Sequence, residues 1–224
     1  MTDQEPSAAF FGRRKGKPLR HRQASLWLDL LPKLRFSPTH LEIADGKELW
    51  LEIGFGGAEH LIETARANPN VRLIGCEPFV NGVAKALTRI EEHQISNISI
   101  FDDDVSKILD ELPSACLSRI FILYPDPWPK LRHRKRRLIS EQFLYRLARI
   151  MKRDAELRFA TDIDDYAAWT LSRIEASSHF VWEQMSPLEW TTPWEGWIST
   201  RYEKKALREG RSPVYLTFRR RFQT

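Results

Sequence analysis

Short apolar runs alternate with amphipathic stretches along almost the whole chain, and that alternation predicts strands and helices in turn. Glu48 to Ile53 (ELWLEI), Arg72 to Cys76, Ile98 to Phe101, Arg119 to Tyr124 and Glu156 to Ala160 are short, branched and aromatic, as buried strands are. Between them Ala58 to Ala67, Val80 to His93, Arg137 to Ile150 and a segment opened by Asp162, Asp164 and Asp165 and running through Ile174 space their apolar residues as helices do. Ala24 to Leu34 has the same spacing and is expected to dock on the sheet. Phe180 to Gln184 and Val214 to Arg220 predict two more strands, paired as an antiparallel edge. The expected class is α/β: a mostly parallel seven-stranded sheet with an antiparallel edge and helices on both faces, binding its ligands at the carboxyl ends of the strands.

The pattern breaks most sharply after Phe121 to Tyr124. Pro125, Pro127 and Pro129 forbid both ladder pairing and helix entry, so the strand must stop and Asp126 and Trp128 are carried on a stiff loop past its end. Lys130, Arg132, Arg134, Lys135, Arg136 and Arg137 follow at once with no acid among them, a charge density suited to a phosphate backbone. A basic run is often only a solvated surface, Asp126 can cap its loop and Trp128 can pack on the fold. Together, a carboxylate and an indole beside a polyanion-binding tract point to chemistry on a base within a nucleic acid.

The first strand runs into Gly54, Gly56 and Gly57 ahead of a helix, and the second ends at Glu77. Such a turn brings backbone close to a ligand, and an acid at the second strand's tip can accept hydrogen bonds from ribose hydroxyls. A dinucleotide fingerprint would place a third glycine where Glu59 stands, and Glu52 lies two residues before Gly54, where a pyrophosphate would not be welcome. Acids there suit a cationic ligand, and S-adenosylmethionine, with its sulfonium, amino group and ribose diol, fits Glu52 and Glu77. Asp102, Asp103 and Asp104 end the third strand; one of them, with Asp104 preferred, is expected at the adenine amino group, and the others can cap a short helix. Thr161 or Asp162 can likewise cap the helix that follows the fifth strand. Trp190, Trp194 and Trp197 crowd a turn-rich loop as either a satellite core or a stacking surface.

Composition narrows the setting. With 224 residues, 42% hydrophobic and 29% charged, the chain suits one domain (24–224) preceded by a mobile basic arm (1–23) that either orders on RNA or serves only as a solubilising tail. The net charge of +5 hides its own distribution: Arg13 to Arg22 and Lys130 to Arg137 hold 12 of the 35 cationic residues and no acid, which leaves 23 cations against 30 acids elsewhere. Clustered cations on an acidic body are expected where a polyanion is held at a defined place. No membrane span, secretory core or metal site is read, and two isolated cysteines, Cys76 and Cys116, fit a reducing cytoplasm.

With those residues in view, LWLEIGFGGAEHL, YPDPWPKLRHRKRRL, FATDIDDYAAW and STRYEKKALREG together resemble the bacterial tRNA (guanine-N7)-methyltransferases from about Gly12 to Arg220. The resemblance implies a Rossmann-like methyltransferase fold, S-adenosylmethionine as cofactor and tRNA as partner, in a cytoplasmic monomer or homodimer. It implies that Glu52, Gly54, Gly56, Glu77, Asp104 and Asp126 line the cofactor and catalytic cleft, with Asp126 catalytic. Lys130, Asp162, Thr200, Arg201, Tyr202 and Glu203 would contact tRNA, and the target would be the variable-loop guanosine at position 46. Arg201 stands where the family often has lysine, and the triplet leaves Asp103 and Asp104 both open at the adenine. Two rivals stand: a methyltransferase acting on an exocyclic amine, since PDPW is close to the loop used there, and an RNA-binding protein with a vestigial cofactor fold. Acids at the ends of four strands favour an enzyme.

Overall fold

The computed structural model describes residues 11–41 and 46–221; residues 1–10 of the expected arm lie outside the described part. Seven strands, β1 (Glu48–Ile53), β2 (Val71–Cys76), β3 (Ile98–Phe101), β4 (Leu117–Leu123), β5 (Met151–Thr161), β6 (Phe180–Trp182) and β7 (Val214–Arg220), form one sheet in the order β3-β2-β1-β4-β5-β7-β6. The first five are parallel, and β7 runs antiparallel between β5 and β6. This is the expected architecture, with the switch in strand order at β1 and β4 opening a crevice above their carboxyl ends.

Alternation along the strands sends each side chain to one of two cores. Leu49, Leu51 and Ile53 of β1, with Ile120, Ile122, Leu157, Phe159 and Phe218, meet α5 (Glu141–Ile150) and α6 (Asp164–Ala176) through Leu144, Leu147, Tyr166 and Ile174. On the opposite face Trp50, Leu73, Ile98 and Phe121 pack under α1 (His21–Asp29), α3 (Glu59–Ala67) and α4 (Val80–Glu92) through Leu26, Leu61, Ile62, Val83 and Leu87. Burying such side chains stabilises each by about 1.5–3 kcal/mol, so the two layers hold the crevice between rigid walls.

Several boundaries differ from expectation. The first helix begins at His21 and breaks at Leu30, because Pro32 opens a separate short helix, α2 (Leu31–Leu34). The helix expected from Arg137 starts only at Glu141, where the Ser140 hydroxyl accepts from the Phe143 N–H at 3.2 Å; the basic tract before it winds into a 3₁₀ turn, Leu131–Arg136. β4 stops one residue early, and Tyr124 takes a left-handed φ of 53°. The region after β6 holds two further helices, α7 (Pro187–Thr191) and α8 (Arg201–Arg208), where only a loop is expected from the pattern. In α8, Thr200 caps the amino end and Glu203 stands three residues on, a spacing that signals a helix start. Ahead of α1, Arg14 O accepts from the Val80 N–H, and Asn81 brackets Gly16 and Lys17, so residues 14–17 lie against the start of α4.

Candidate methyl-transfer site

The crevice is a cavity of about 1100 Å³ whose walls are the loops after β1, β2, β3 and β4. Its first half is built on the glycine turn. Gly54 and Gly56 have φ of 75° and 53°, conformations that disfavour side chains, and Gly54 N–H donates to Cys76 O at 2.8 Å. Glu77 then braces the turn: its carboxylate accepts from Gly56 N–H at 2.7 Å and from Phe79 N–H at 2.9 Å, tying the β1 loop to the entry of α4. Burial raises the Glu77 carboxyl above its ordinary value against the pull of those two donors. A Cβ at Gly82 would stand 2.5 Å from Gly56 O, so α4 meets the loop backbone to backbone.

Asp103 and Asp104 both line the cavity but are differently engaged. Asp103 takes Arg14 at 2.9 Å, Lys107 at 2.5 Å and the Asp104 N–H at 2.8 Å, and these donors hold its carboxyl low despite desolvation. Asp104 accepts from Ser106 N–H at 2.9 Å.

The second half is the proline loop. Asp126 faces the cavity, where desolvation raises its carboxyl above the usual range. Trp128, with φ of 42°, lies edge-on to Phe11 and His133 and beneath the Arg136 guanidinium at 5.0 Å. The loop is pinned by Arg137, which is buried rather than available to a polyanion. Arg137 Nε donates to Pro127 O at 2.8 Å, its terminal nitrogen pairs with Asp165, and its plane covers Tyr166 and Trp169 at 4.9 and 5.0 Å. Arg134 reaches the same Asp165 at 2.7 Å. Within the tract Lys130, Arg132 and Lys135 are exposed and make no ion pair among the described residues.

Of the residues expected at the site, the cavity brings together Gly54, Gly56, Glu77, Asp104, Asp126 and Tyr202. Glu52 does not line it: its carboxylate is buried against His60 Nδ1 at 2.7 Å, facing α3. Lys130 is on the surface; Asp162 accepts from Arg211 Nε at 2.5 Å; Thr200 caps α8. Arg201 is tied to Glu59 by Nε at 2.9 Å, and Glu203 is buried, accepting from Trp197 Nε1 at 2.9 Å and from the Tyr215 hydroxyl. Sequence reasoning passes over Gly82 and Phe79, and it assigns to the polyanion-binding tract an Arg137 that the fold buries. A glycine inside a helical pattern signals a close approach, but nothing in a basic run separates a buried arginine from its exposed neighbours. Among the described residues there is no cluster of three metal-ligating side chains and no helix long and apolar enough to cross a membrane.

A sheet of this order, with a glycine turn and an acid at the second strand's tip, is that of the Rossmann-like methyltransferases. Solved structures bear out the fold: an antibiotic-related methyltransferase aligns with a TM-score of 0.56 at 17% identity, covering 81% of this chain and 94% of its own. A 16S rRNA methyltransferase aligns at 0.54 and 14% identity, covering 78% and 88%. The family model described as "Putative methyltransferase" matches residues 46–216. Curated tRNA (guanine-N(7)-)-methyltransferases are much nearer in sequence: that of Rhizobium meliloti is 50% identical over 220 residues, covering 95% of each chain, and that of Agrobacterium fabrum 47% identical over 232 residues, covering 99% and 100%. The chain belongs to the tRNA (guanine-N(7)-)-methyltransferase family.

Because α4 touches the Gly56 backbone directly, Gly82→Ala is expected to displace the glycine turn without unfolding either core. Calorimetric titration with S-adenosylhomocysteine should show affinity reduced by about tenfold or more, with helix content retained; unchanged affinity would mean that the turn can yield.

Proposed function

We propose that the protein transfers a methyl group from S-adenosylmethionine to N7 of the variable-loop guanosine at position 46 of tRNA, giving 7-methylguanosine. The observation that carries this reading is the pairing, within one cavity, of a glycine turn braced by Glu77 and an acid and indole loop rimmed by cations. Relatives about half identical over nearly the whole chain bear the name of that activity.

The donor, when bound, supplies a methyl group made electrophilic by its sulfonium. The residues of the cavity suit it. Each Glu77 oxygen has one lone pair engaged by backbone and another left for a ribose hydroxyl. Asp104, with one backbone donor against the three on Asp103, is the better acceptor for an adenine amino group. Glu52 acts from behind, by holding His60 and through it α3.

Guanine N7 carries a free lone pair, so no proton need leave before attack and no strong general base is required. The ring becomes cationic on methylation. Asp126 therefore serves by placing negative potential beside the base and by orienting it, with Trp128 as the flanking aromatic. Tyr202, on the cavity wall within reach of Gly56, contacts the substrate; Thr200, Arg201 and Glu203 act behind it by capping and anchoring α8. Asp162 works as a pair with Arg211, while Lys130, Arg132 and Lys135 hold the RNA backbone.

Labelled S-adenosylmethionine with unmodified tRNA should put label into 7-methylguanosine at one variable-loop position, read by nucleoside digestion and cleavage at the modified base. Label in an exocyclic amine would move the target, and binding without label would remove the enzyme.

Asp126→Asn should lower turnover by about a hundredfold or more. The folded carboxyl lies above its unfolded value, so its ionisation subtracts from stability as pH rises through the raised range. Asp126 is exposed, so solvent screens this effect: the variant should melt only slightly higher than wild type at neutral pH, with the gap closing on acidification below the ordinary carboxylate range. Near-normal turnover would remove Asp126 from catalysis.

Changing Lys130, Arg132 and Lys135 together to Ala should make the log–log salt dependence of tRNA binding shallower by about two. An unaltered slope would place the RNA elsewhere.

A further inference from the structure

A second cavity, of about 630 Å³, opens on the sheet face that carries α3, between the carboxyl half of that helix and the loop 194–198. Where this face runs under α3 and α4 its side chains are apolar, but across β4, β5 and β7 the same parity brings Arg119, Glu156, Arg158, Thr217 and Arg219. Arg119 stands opposite Trp50 in the ladder and lies over its ring at 4.2 Å. Arg158 stands opposite Phe121 and lies over Phe121 and Trp194 at 5.9 and 5.4 Å.

The anionic side of this cluster is thin. Among the described residues Glu156 alone serves Arg158 at 2.9 Å, Arg119 at 3.1 Å and Arg219 at 3.6 Å, and only Arg219 has a second acid, Glu183. Arg119 Nε is buried with no hydrogen-bond partner among the described residues. Burial and the neighbouring Arg119 both disfavour the charge on Arg158. Two flat guanidiniums held together on aromatic rings, with one carboxylate between them, are matched by a bound phosphate. The wall beside them is aromatic and preset: Trp194 Nε1 donates to Thr217 Oγ1 at 2.8 Å, and Trp197 packs edge-on to it at 5.4 Å. At the rim, Glu63 is paired with Arg66, whereas Glu195 is exposed.

We propose that this cavity is a nucleotide site, seating a phosphate on Arg119 and Arg158 and an adjoining base against Trp194. The volume suits a single nucleotide, and stacking on an indole tolerates any base. It shares no lining residue with the methyl-transfer cavity. Its occupant is either one nucleotide of the bound tRNA, which rests on the function proposed above, or a free nucleotide, which does not.

Titration of GMP and of unmodified tRNA into protein saturated with S-adenosylhomocysteine, comparing wild type with the double variant Arg119→Gln/Arg158→Gln and with Glu195→Lys, tests this. The double variant should lose about tenfold or more in affinity for one of the two probes while its S-adenosylhomocysteine affinity is unchanged. Glu195→Lys should tighten that probe's binding severalfold. Loss of tRNA affinity with a salt slope shallower by about one to two assigns a tRNA nucleotide; loss of GMP affinity alone assigns a free one. If the double variant fails to fold, Glu195→Lys, at an exposed position, decides. Unchanged binding of both probes in a folded variant overturns the proposal and leaves the arginines as a roof over the aromatic rings. Methyl transfer by the wild type in the same preparation reports the proposed function independently.

Discussion

One guanidinium without solvent exposure holds the reactive loop in place. Arg137 has a fully buried side chain, and an unpaired charge there would cost several kcal/mol. It is tolerated because its donors are used by the Pro127 carbonyl, the Asp165 backbone and the Asp165 carboxylate, and because its faces are covered by Tyr166 and Trp169. The same contacts bind the loop after β4 to the start of α6. Asp126 and Trp128 are thus placed by contacts with the start of α6, and the three prolines only limit where the loop can go.

Glu77 does the corresponding work in the other half of the cavity. With the Gly56 and Phe79 amides on its two oxygens and Gly82 pressed against the Gly56 carbonyl, it makes the turn after β1 and the start of α4 one rigid unit. The two halves meet at the strand-order switch between β1 and β4. A cavity preorganised in this way suits a reaction with no proton to abstract, since positioning and potential are then all that the protein has to provide.

Period and breaker residues made most of this legible. β1, β3 and β7 occupy the residues predicted for them, since each is a branched apolar run bounded by turn formers. Gly54, Gly56, Glu77, Asp104 and Asp126 reach the cavity because all sit at strand ends, where topology alone decides the location. Glu52 and Glu203 are the instructive cases. An acid inside a strand or on a helix looks the same in sequence whether it faces a ligand or a buried partner, and here the partners are His60, Trp197 and Tyr215, contributed by other segments. The basic tract is the same problem with the sign reversed. Six cations read as one patch, yet the fold withdraws Arg137 into the core, commits Arg134 to Asp165 and stacks Arg136 on Trp128, leaving Lys130, Arg132 and Lys135 outside.

Those misplaced acids link α8, which lines the methyl-transfer cavity through Tyr202, to the loop that lines the second cavity. Glu203 anchors the helix from below by accepting from Trp197 and Tyr215, while its neighbours Arg201 and Tyr202 face α3 and the glycine turn. Trp197 in turn packs on His60, whose ring is held by Glu52 at 2.7 Å and lies on Phe121 at 4.8 Å. One chain of contacts therefore runs from the wall of the methyl-transfer cavity, through α8 and Trp197, to the aromatic wall behind α3. The buried acids Glu52 and Glu203 are the fixed points of that chain, each holding an aromatic or imidazole ring contributed by another segment.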